Sequence, residues 1–215
     1  MKKNVAVIGS SGAIGNAVSK ILLEDETVQS VYNFSRSISA DTSDKENRIY
    51  IDIENEESIE DAVDKIPQDI KFDLIFVATG ILHNENDVYP EKSIRDISAD
   101  KFKKVLMINT VGPALIGKYF IPFLNKDNKN VFAFLSARVG SISDNKIGGW
   151  YSYRASKTAL NQIVKNFSIK IKRSNPHSIF MGLQPGTVKS NLSKPFEKNV
   201  QSDNLFSPDY SARKL

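Results

Sequence analysis

Val5-Ala6-Val7-Ile8-Gly9-Ser10-Ser11-Gly12-Ala13-Ile14-Gly15 opens the chain with four apolar residues and then three glycines at three-residue intervals. A short unbroken apolar run is the mark of a strand buried on both faces. The glycines end it. They suit a turn that needs positive φ, a backbone that lets a phosphate come close, or a helix packed tightly onto a strand. Ile14, Ala17, Val18, Ile21 and Leu22 then recur at helical spacing, so the turn delivers the chain into a helix. The start of that helix presents unpaired N–H groups and the positive end of its dipole, which together suit a pyrophosphate. The spacing is Gly-x-x-Gly-x-x-Gly rather than the G-x-G-x-x-G of standard dinucleotide folds. A plain tight strand-to-helix turn is the alternative.

Outward from this unit the alternation repeats. Strand-like runs cover 28–34, 48–53, 72–78, 131–136 and 178–183, and helical periodicity covers 56–66, 99–124 and 151–173. The polar stretch 37–47 reads as a loop and 81–97 as a mixed polar segment. Pro113 predicts an interruption of the helix over 99–124. Strands alternating with helices predict a parallel sheet covered on both faces, a doubly wound α/β (Rossmann) fold in one domain spanning 1–215.

Composition narrows the function classes. The chain has 215 residues, 40% of them hydrophobic and 25% charged, which is ordinary globular usage. It has no cysteine, which removes disulfides, thiolate nucleophiles and cysteine-based zinc sites. His83 and His177 are the only histidines and lie far apart, so no metal centre is expected. The net charge of +4 is spread over interleaved acids and bases, with only short basic clusters at Lys126 to Lys129 and Lys170 to Arg173. A nucleic-acid footprint needs a longer stripe. The apolar run before Gly9 is too short for a secretory signal. No window reads as approaching the roughly 18–20 apolar residues of a membrane span. A cytoplasmic protein without nucleic-acid or membrane partners is expected.

The second strand ends in Phe34-Ser35-Arg36. An NAD site places an acid here for the ribose hydroxyls, whereas a guanidinium suits a 2′-phosphate, so Arg36 favours NADP(H) over NAD(H). A solvated loop arginine is the alternative. Asp52, with Ile53 at the end of the third strand, is a candidate for the adenine amino group or else an acid capping the next helix. Tyr153-Arg-Ala-Ser-Lys157 sets a phenol and an ammonium one helical turn apart. A nearby cation lowers a phenol pKa from about 10 toward neutrality, which suits a general acid. Tyr210-Ser-Ala-Arg-Lys214 has the same spacing but lies in a charged tail beyond all the strands. Tyr153 instead opens the helix after the fifth strand, at the edge of the sheet where ligands bind.

With these residues in place, the chain resembles the short-chain dehydrogenases/reductases over essentially its whole length. Gly80-Ile-Leu-His83, Pro90-Glu-Lys92, Gly148-Gly-Trp-Tyr-Ser-Tyr153 and Pro185-Gly-Thr-Val188 look most like the C-factor-like proteins and sniffer-type carbonyl reductases. The resemblance implies an NADPH-dependent oxidoreductase that reduces a small aldehyde, ketone or quinone-like carbonyl. Tyr153 would donate the proton, Lys157 would lower its pKa and hold the nicotinamide ribose, and Ser136 or Ser141 would hydrogen-bond the carbonyl oxygen. Asn109 matches the family's helix asparagine. Pro113 lacks the N–H that would bond the Asn109 carbonyl, so that carbonyl is expected to take another donor, such as a water that relays protons near Lys157. The cofactor would rest on Gly9, Ser11, Gly12, Ile14 and Gly15, on Arg36, Asp52 and Ile53, on Ala78 and Gly80, on Tyr153 and Lys157, and on Pro185, Gly186, Val188 and Ser190. Residues 189–207 would form a substrate lid, with Phe196 and Phe206 as apolar contacts.

Two departures accompany the resemblance. The family's Asn-x-Ala-Gly is Val77-Ala78-Thr79-Gly80, with Thr79 expected to replace part of the strand-stabilising asparagine. Family members usually continue to a seventh strand, whereas here a helix beginning near Ser207-Pro208-Asp209 has barely started at Leu215. A homodimer or homotetramer paired through 99–124 and 151–173 is implied. Two other functions are compatible with parts of the pattern. One is a non-catalytic, C-factor-like signalling or regulatory protein that binds the cofactor. The other is a sugar-nucleotide epimerase, suggested by the glycine spacing but short of such enzymes' C-terminal substrate region.

Overall fold

In the computed structural model, which describes residues 2–38, 43–84 and 86–215, β1 (Lys3–Ile8) runs through the middle of a six-stranded parallel sheet. Its Val5 to Ile8 are no more than 1% exposed, because helices cover the sheet on both sides and leave no face for a polar residue. The chain passes through α1 (Ala13–Glu24), β2 (Val28–Ser35), β3 (Glu46–Tyr50), α2 (Glu56–Asp64) and β4 (Leu74–Val77). It continues through α3 (Ala99–Leu106), α4 (Gly112–Phe120), β5 (Asn130–Leu135), α5 (Tyr151–Ile171) and β6 (Ser178–Leu183). The strand order is β3-β2-β1-β4-β5-β6. The direction of winding reverses between β1 and β4, which opens a crevice at their carboxyl ends.

Two apolar layers hold the sheet. On one face Ile8, Phe34, Ile75, Phe132 and Phe134 pack with Ile59 of α2, Phe120 of α4 and Leu160 and Val164 of α5. Phe34 meets Phe120 edge-on at 5.1 Å. Each such fully buried aromatic contributes about 1.5–3 kcal/mol. On the other face Val7, Phe76 and Ala133 pack with Val18 of α1 and Ala212 of α6 (Pro208–Lys214). Among the described residues nothing pairs with the outer edge of β6. After β6, a short parallel ladder joins β7 (Thr187–Val188) to β8 (Leu205–Phe206).

Beyond shifts of one or two residues at the ends of other elements, the structure departs from the sequence expectations as follows. β3 begins at Glu46, inside the stretch read as loop, and ends at Tyr50 rather than residue 53. Its polar residues are tied rather than free: Asn33 Nδ2 donates to Glu46 Oε1 at 2.6 Å and Arg48 Nε donates to the same oxygen at 2.8 Å. Residues 39–42 of the expected loop lie outside the described residues. β4 is shorter than 72–78.

The interruption expected at Pro113 is a π-helical turn over Met107–Val111, in which Gly112 N–H bonds to the Met107 carbonyl. The extra residue is absorbed there, and Pro113 falls in the first turn of α4, where a missing N–H costs little. Finally, Ala99–Phe123 is long enough, with a mean hydropathy of 1.3, to cross a membrane by length and composition. In the fold it packs as a core helix, with Asn109, Ile116 and Phe120 wholly buried.

The π turn meets the segment that follows β3 at Gly112, where an added Cβ would lie 2.9 Å from the Ile53 carbonyl oxygen. Gly112→Ala is therefore expected to destabilise the chain by about 1–3 kcal/mol in urea unfolding. An unchanged midpoint would mean that this contact relaxes freely.

Candidate active site

The glycine turn is dictated by contact distances. Gly9 has φ +86, and a Cβ on Gly15 would stand 2.2 Å from the Gly9 carbonyl oxygen. Only glycine lets α1 begin this close to the end of β1. α1 has no side-chain cap and no acid in its first turn, so its positive end is uncompensated by the chain. Thr79 Oγ1, beside this turn, is buried without a partner. The expectation that Thr79 replaces a strand-stabilising asparagine is thus not met, since its hydroxyl bonds to no strand and its methyl group faces Gly9.

Two clefts flank the first turn of α1. The first, of about 280 Å³, has Gly9, Ser11, Gly12, Arg36, Asp52, Ile53, Ala78 and Gly80 in its walls. Asp52 does not cap α2. Its Oδ1 accepts from Glu54 N–H, and Asn55 caps the helix by accepting from Glu57 N–H. The sequence reading missed Glu54, another wall residue, whose carboxylate lies 3.7 Å from the Arg36 guanidinium. The Arg36 side chain is 67% exposed, so this pair is worth less than about 1 kcal/mol and leaves the guanidinium available to an anion. The available signal was the position of Glu54 two residues beyond Asp52. A glycine cradle, an uncapped helix start, an orphaned hydroxyl and an exposed guanidinium fit a dinucleotide carrying phosphates.

The second cleft, of about 590 Å³, is walled by Ile14, Ser136, Tyr153, Pro185, Gly186, Val188 and Ser190. Trp150 and Phe196 also line it. Ser136 Oγ donates to Asn161 Oδ1 at 2.7 Å, so its proton is committed within the chain. Ser141 is not in these walls. It lies on a turn, where its Oγ accepts from Asp144 N–H and is 3.4 Å from Ser143 Oγ. The geometry thus brings Ser136, and not Ser141, to the cavity of Tyr153. The Tyr210–Lys214 pair lies outside as well, with Tyr210 half exposed and stacked on Phe206.

Gly15, Lys157 and Asn109 stand behind the walls rather than in them. Lys157 is 3% exposed and its Nζ donates to the Leu135 carbonyl at 2.9 Å. Asn109 Oδ1 accepts from Ile81 N–H at 2.7 Å, while its Nδ2 donates to the Ile81 carbonyl and to Ser156 Oγ. Its side chain is a clamp.

The electrostatics reverse one expectation. Burial pushes the Tyr153 phenol up to about 12 and the Lys157 ammonium down to about 8. The ammonium was expected to acidify the phenol. It instead bonds to the Leu135 carbonyl, 6.0 Å from the centre of the Tyr153 ring, and the phenol's shift comes from desolvation.

The 189–207 segment lines this cavity with Ser190, Leu192, Ser193, Phe196 and Phe206. The β7–β8 ladder pins its base, with a further bond from Lys189 N–H to the Phe206 carbonyl. His83 Nε2 donates to the Asn191 carbonyl at 2.9 Å, and the Phe196 ring sits between His83 and Trp150 at 5.7 and 5.3 Å.

The model of a protein family described as short chain dehydrogenase matches residues 3–201. A 1-hydroxy-2-glutathionyl-2-methyl-3-butene dehydrogenase from Rhodococcus sp. (strain AD45) is 29% identical over 147 residues, covering 68% of this chain and 60% of that protein. The C-signal protein of Myxococcus xanthus is 28% identical over 103 residues, covering 48% of this chain and 61% of that protein. These matches span about three fifths of the length of each relative. Among solved structures, the carbonyl reductase Sniffer of D. melanogaster superposes with a TM-score of 0.82 at 21% identity, covering 99% of this chain and 89% of that one. NADPH-bound carbonyl reductase from chicken fatty liver gives 0.81 at 19% identity, covering 99% and 84%. At these identities the superpositions establish the fold.

The buried ammonium has a stability signature. Its folded pKa of about 8 lies below the ordinary lysine value of 10.5, so the unfolded chain binds more protons between those values and stability rises with pH across that window. In urea unfolding, wild type should gain on Lys157→Met as pH increases from about 8 toward 10.5. A gap that stays constant over this range would contradict the depressed value.

Proposed function

Since the chain belongs to the short chain dehydrogenase family, we propose that it is an NADPH-dependent reductase of small apolar carbonyl compounds, with Tyr153 as proton donor. The observation that carries this reading is the placement of Tyr153 and Ser136 in one cavity, next to Ile14 of the glycine turn and to Pro185, Gly186 and Val188. The Arg36 cleft lies on the other flank of that same turn.

The bound nicotinamide supplies the hydride. The chain does the rest. Backbone N–H groups at the start of α1 hold the pyrophosphate, and Arg36 grips the 2′-phosphate. Pro185, Gly186, Val188 and Ser190 border the nicotinamide end. A phenol with a pKa of about 12 keeps its proton at neutral pH, so Tyr153 is ready to donate to the carbonyl oxygen as that oxygen becomes basic. Ser136 can bond the same oxygen once its hydroxyl gives up Asn161. Lys157, charged below about 8, adds a positive charge behind the phenol as it becomes anionic. Trp150 and Phe196 exclude water and favour an apolar substrate. The proton relay through the Asn109 carbonyl belongs to the same proposal.

Fluorescence titration with NADPH and NADH, followed by a panel of aldehydes, ketones and quinones at the nicotinamide absorbance, tests this reading. Tyr153→Phe should lower turnover at least about 100-fold while leaving NADPH affinity within about twofold. Arg36→Ala should weaken NADPH about tenfold more than NADH. Undiminished turnover in the first variant, or equal weakening of the two cofactors in the second, would overturn the corresponding assignment.

A further inference from the structure

The entrance to α5 is built from three consecutive left-handed residues, Gly148 at φ +73, Gly149 at φ +65 and Trp150 at φ +52. Trp150 is the only non-glycine residue with positive φ among those described. A bulky side chain held there is strained, and such strain persists only where surrounding contacts enforce it. Near in sequence, Asn145 Oδ1 accepts from Gly148 N–H at 3.0 Å and Arg154 Nε donates to the Gly149 carbonyl at 3.1 Å. The contacts to Trp150 N–H and Ser152 N–H, however, come from one residue far away in sequence. Trp150 N–H donates to the Glu91 backbone carbonyl at 2.6 Å, and Ser152 N–H donates to Glu91 Oε2 at 3.1 Å.

Glu91 is 3% exposed, so its carboxyl group is buried against the start of a helix. α5 has no side-chain cap from its own N-cap residue, and no acid in its first turn. Glu91 therefore supplies an oxygen as partner for an otherwise orphaned N–H at the start of α5. The segment carrying it is itself fixed. Pro90 precedes it, and Asp96 Oδ2 accepts from the N–H groups of Lys92 and Ser93 just beyond. The turn so held aims two side chains. The Trp150 ring stands edge-on to Tyr153 at 6.2 Å and tilts against Phe196 at 5.3 Å. Tyr153 lies one residue past the N–H that Glu91 bonds.

We propose that Glu91 is a positioning residue, whose side chain locks the left-handed turn before α5 and thereby sets Trp150 as the wall of the substrate cavity and Tyr153 as its proton donor. The catalytic part of this inference rests on the reading of Tyr153 given above, whereas the locking of the turn does not.

Trp150 is the only tryptophan in the sequence, so its emission reports on this turn alone. In Glu91→Ala, the Trp150 emission should shift to the red and become more open to acrylamide quenching. Turnover should fall about tenfold or more, with NADPH affinity within about twofold. Glu91→Gln retains an oxygen that accepts from Ser152 N–H and should restore wild-type emission and turnover within about threefold. Should the alanine variant not fold, hydrogen exchange of the wild-type chain decides: the Trp150 and Ser152 amides should be protected. Wild-type emission in Glu91→Ala, a glutamine variant as impaired as the alanine one, or freely exchanging amides at both positions would overturn the proposal. Failure of the catalytic reading shows separately, as a wild-type chain that turns over no carbonyl while the emission changes remain.

Discussion

Asn109 is where the site is tied together. Wholly buried in the π turn, it takes a hydrogen bond from Ile81 N–H and gives one to the Ile81 carbonyl, and its remaining amide proton goes to Ser156 on α5. One side chain thus joins the segment leaving β4, the helix crossing behind it and the helix that carries Tyr153 and Lys157. Thr110 adds a bond from its hydroxyl to the Ser156 carbonyl. A buried amide left with unmet hydrogen-bonding groups is costly, so these partners are held in register or the fold loses them together. The wide turn makes this reach feasible, because it re-aims one residue without breaking the helix on either side.

The same region carries the chain's principal electrostatic burden. Lys157 is kept in a nearly dry position by a single backbone carbonyl, and the neighbouring phenol is desolvated with it. Both groups are pushed toward their neutral forms, which is why Tyr153 retains its proton so far above neutrality. Gly80 lies beside this arrangement, where a Cβ would stand 3.3 Å from Asn109 Oδ1 and 3.4 Å from Lys157 Nζ. The left-handed turn before α5 is a second burden at the same place, and residues under strain concentrate at functional sites.

The features set by close packing were legible in the sequence. The glycines at 9 and 15 announced a contact that admits no side chain, and the continuous apolar runs announced strands covered on both faces. What escaped was set by polar partners that only the fold brings together. The start of β3 was hidden because Glu46 and Arg48 look solvated until Asn33 is seen beside them. The pairing of Arg36 with Glu54, the commitment of Ser136 to Asn161 and the orphaned Thr79 hydroxyl likewise depend on distances across the sheet edge. The phenol was misjudged because an i, i+4 spacing sets proximity but not burial. Pro113 was seen as a break, although the helix absorbed it one turn earlier by widening.

A crystal structure of the chain with NADPH tests most directly whether the two clefts beside α1 are halves of one cofactor site. The account places the 2′-phosphate at Arg36 and the nicotinamide between Ile14 and Val188, with its reactive carbon facing the Tyr153 hydroxyl. Density for the nicotinamide elsewhere, or a Tyr153 hydroxyl turned away from it, would contradict the account.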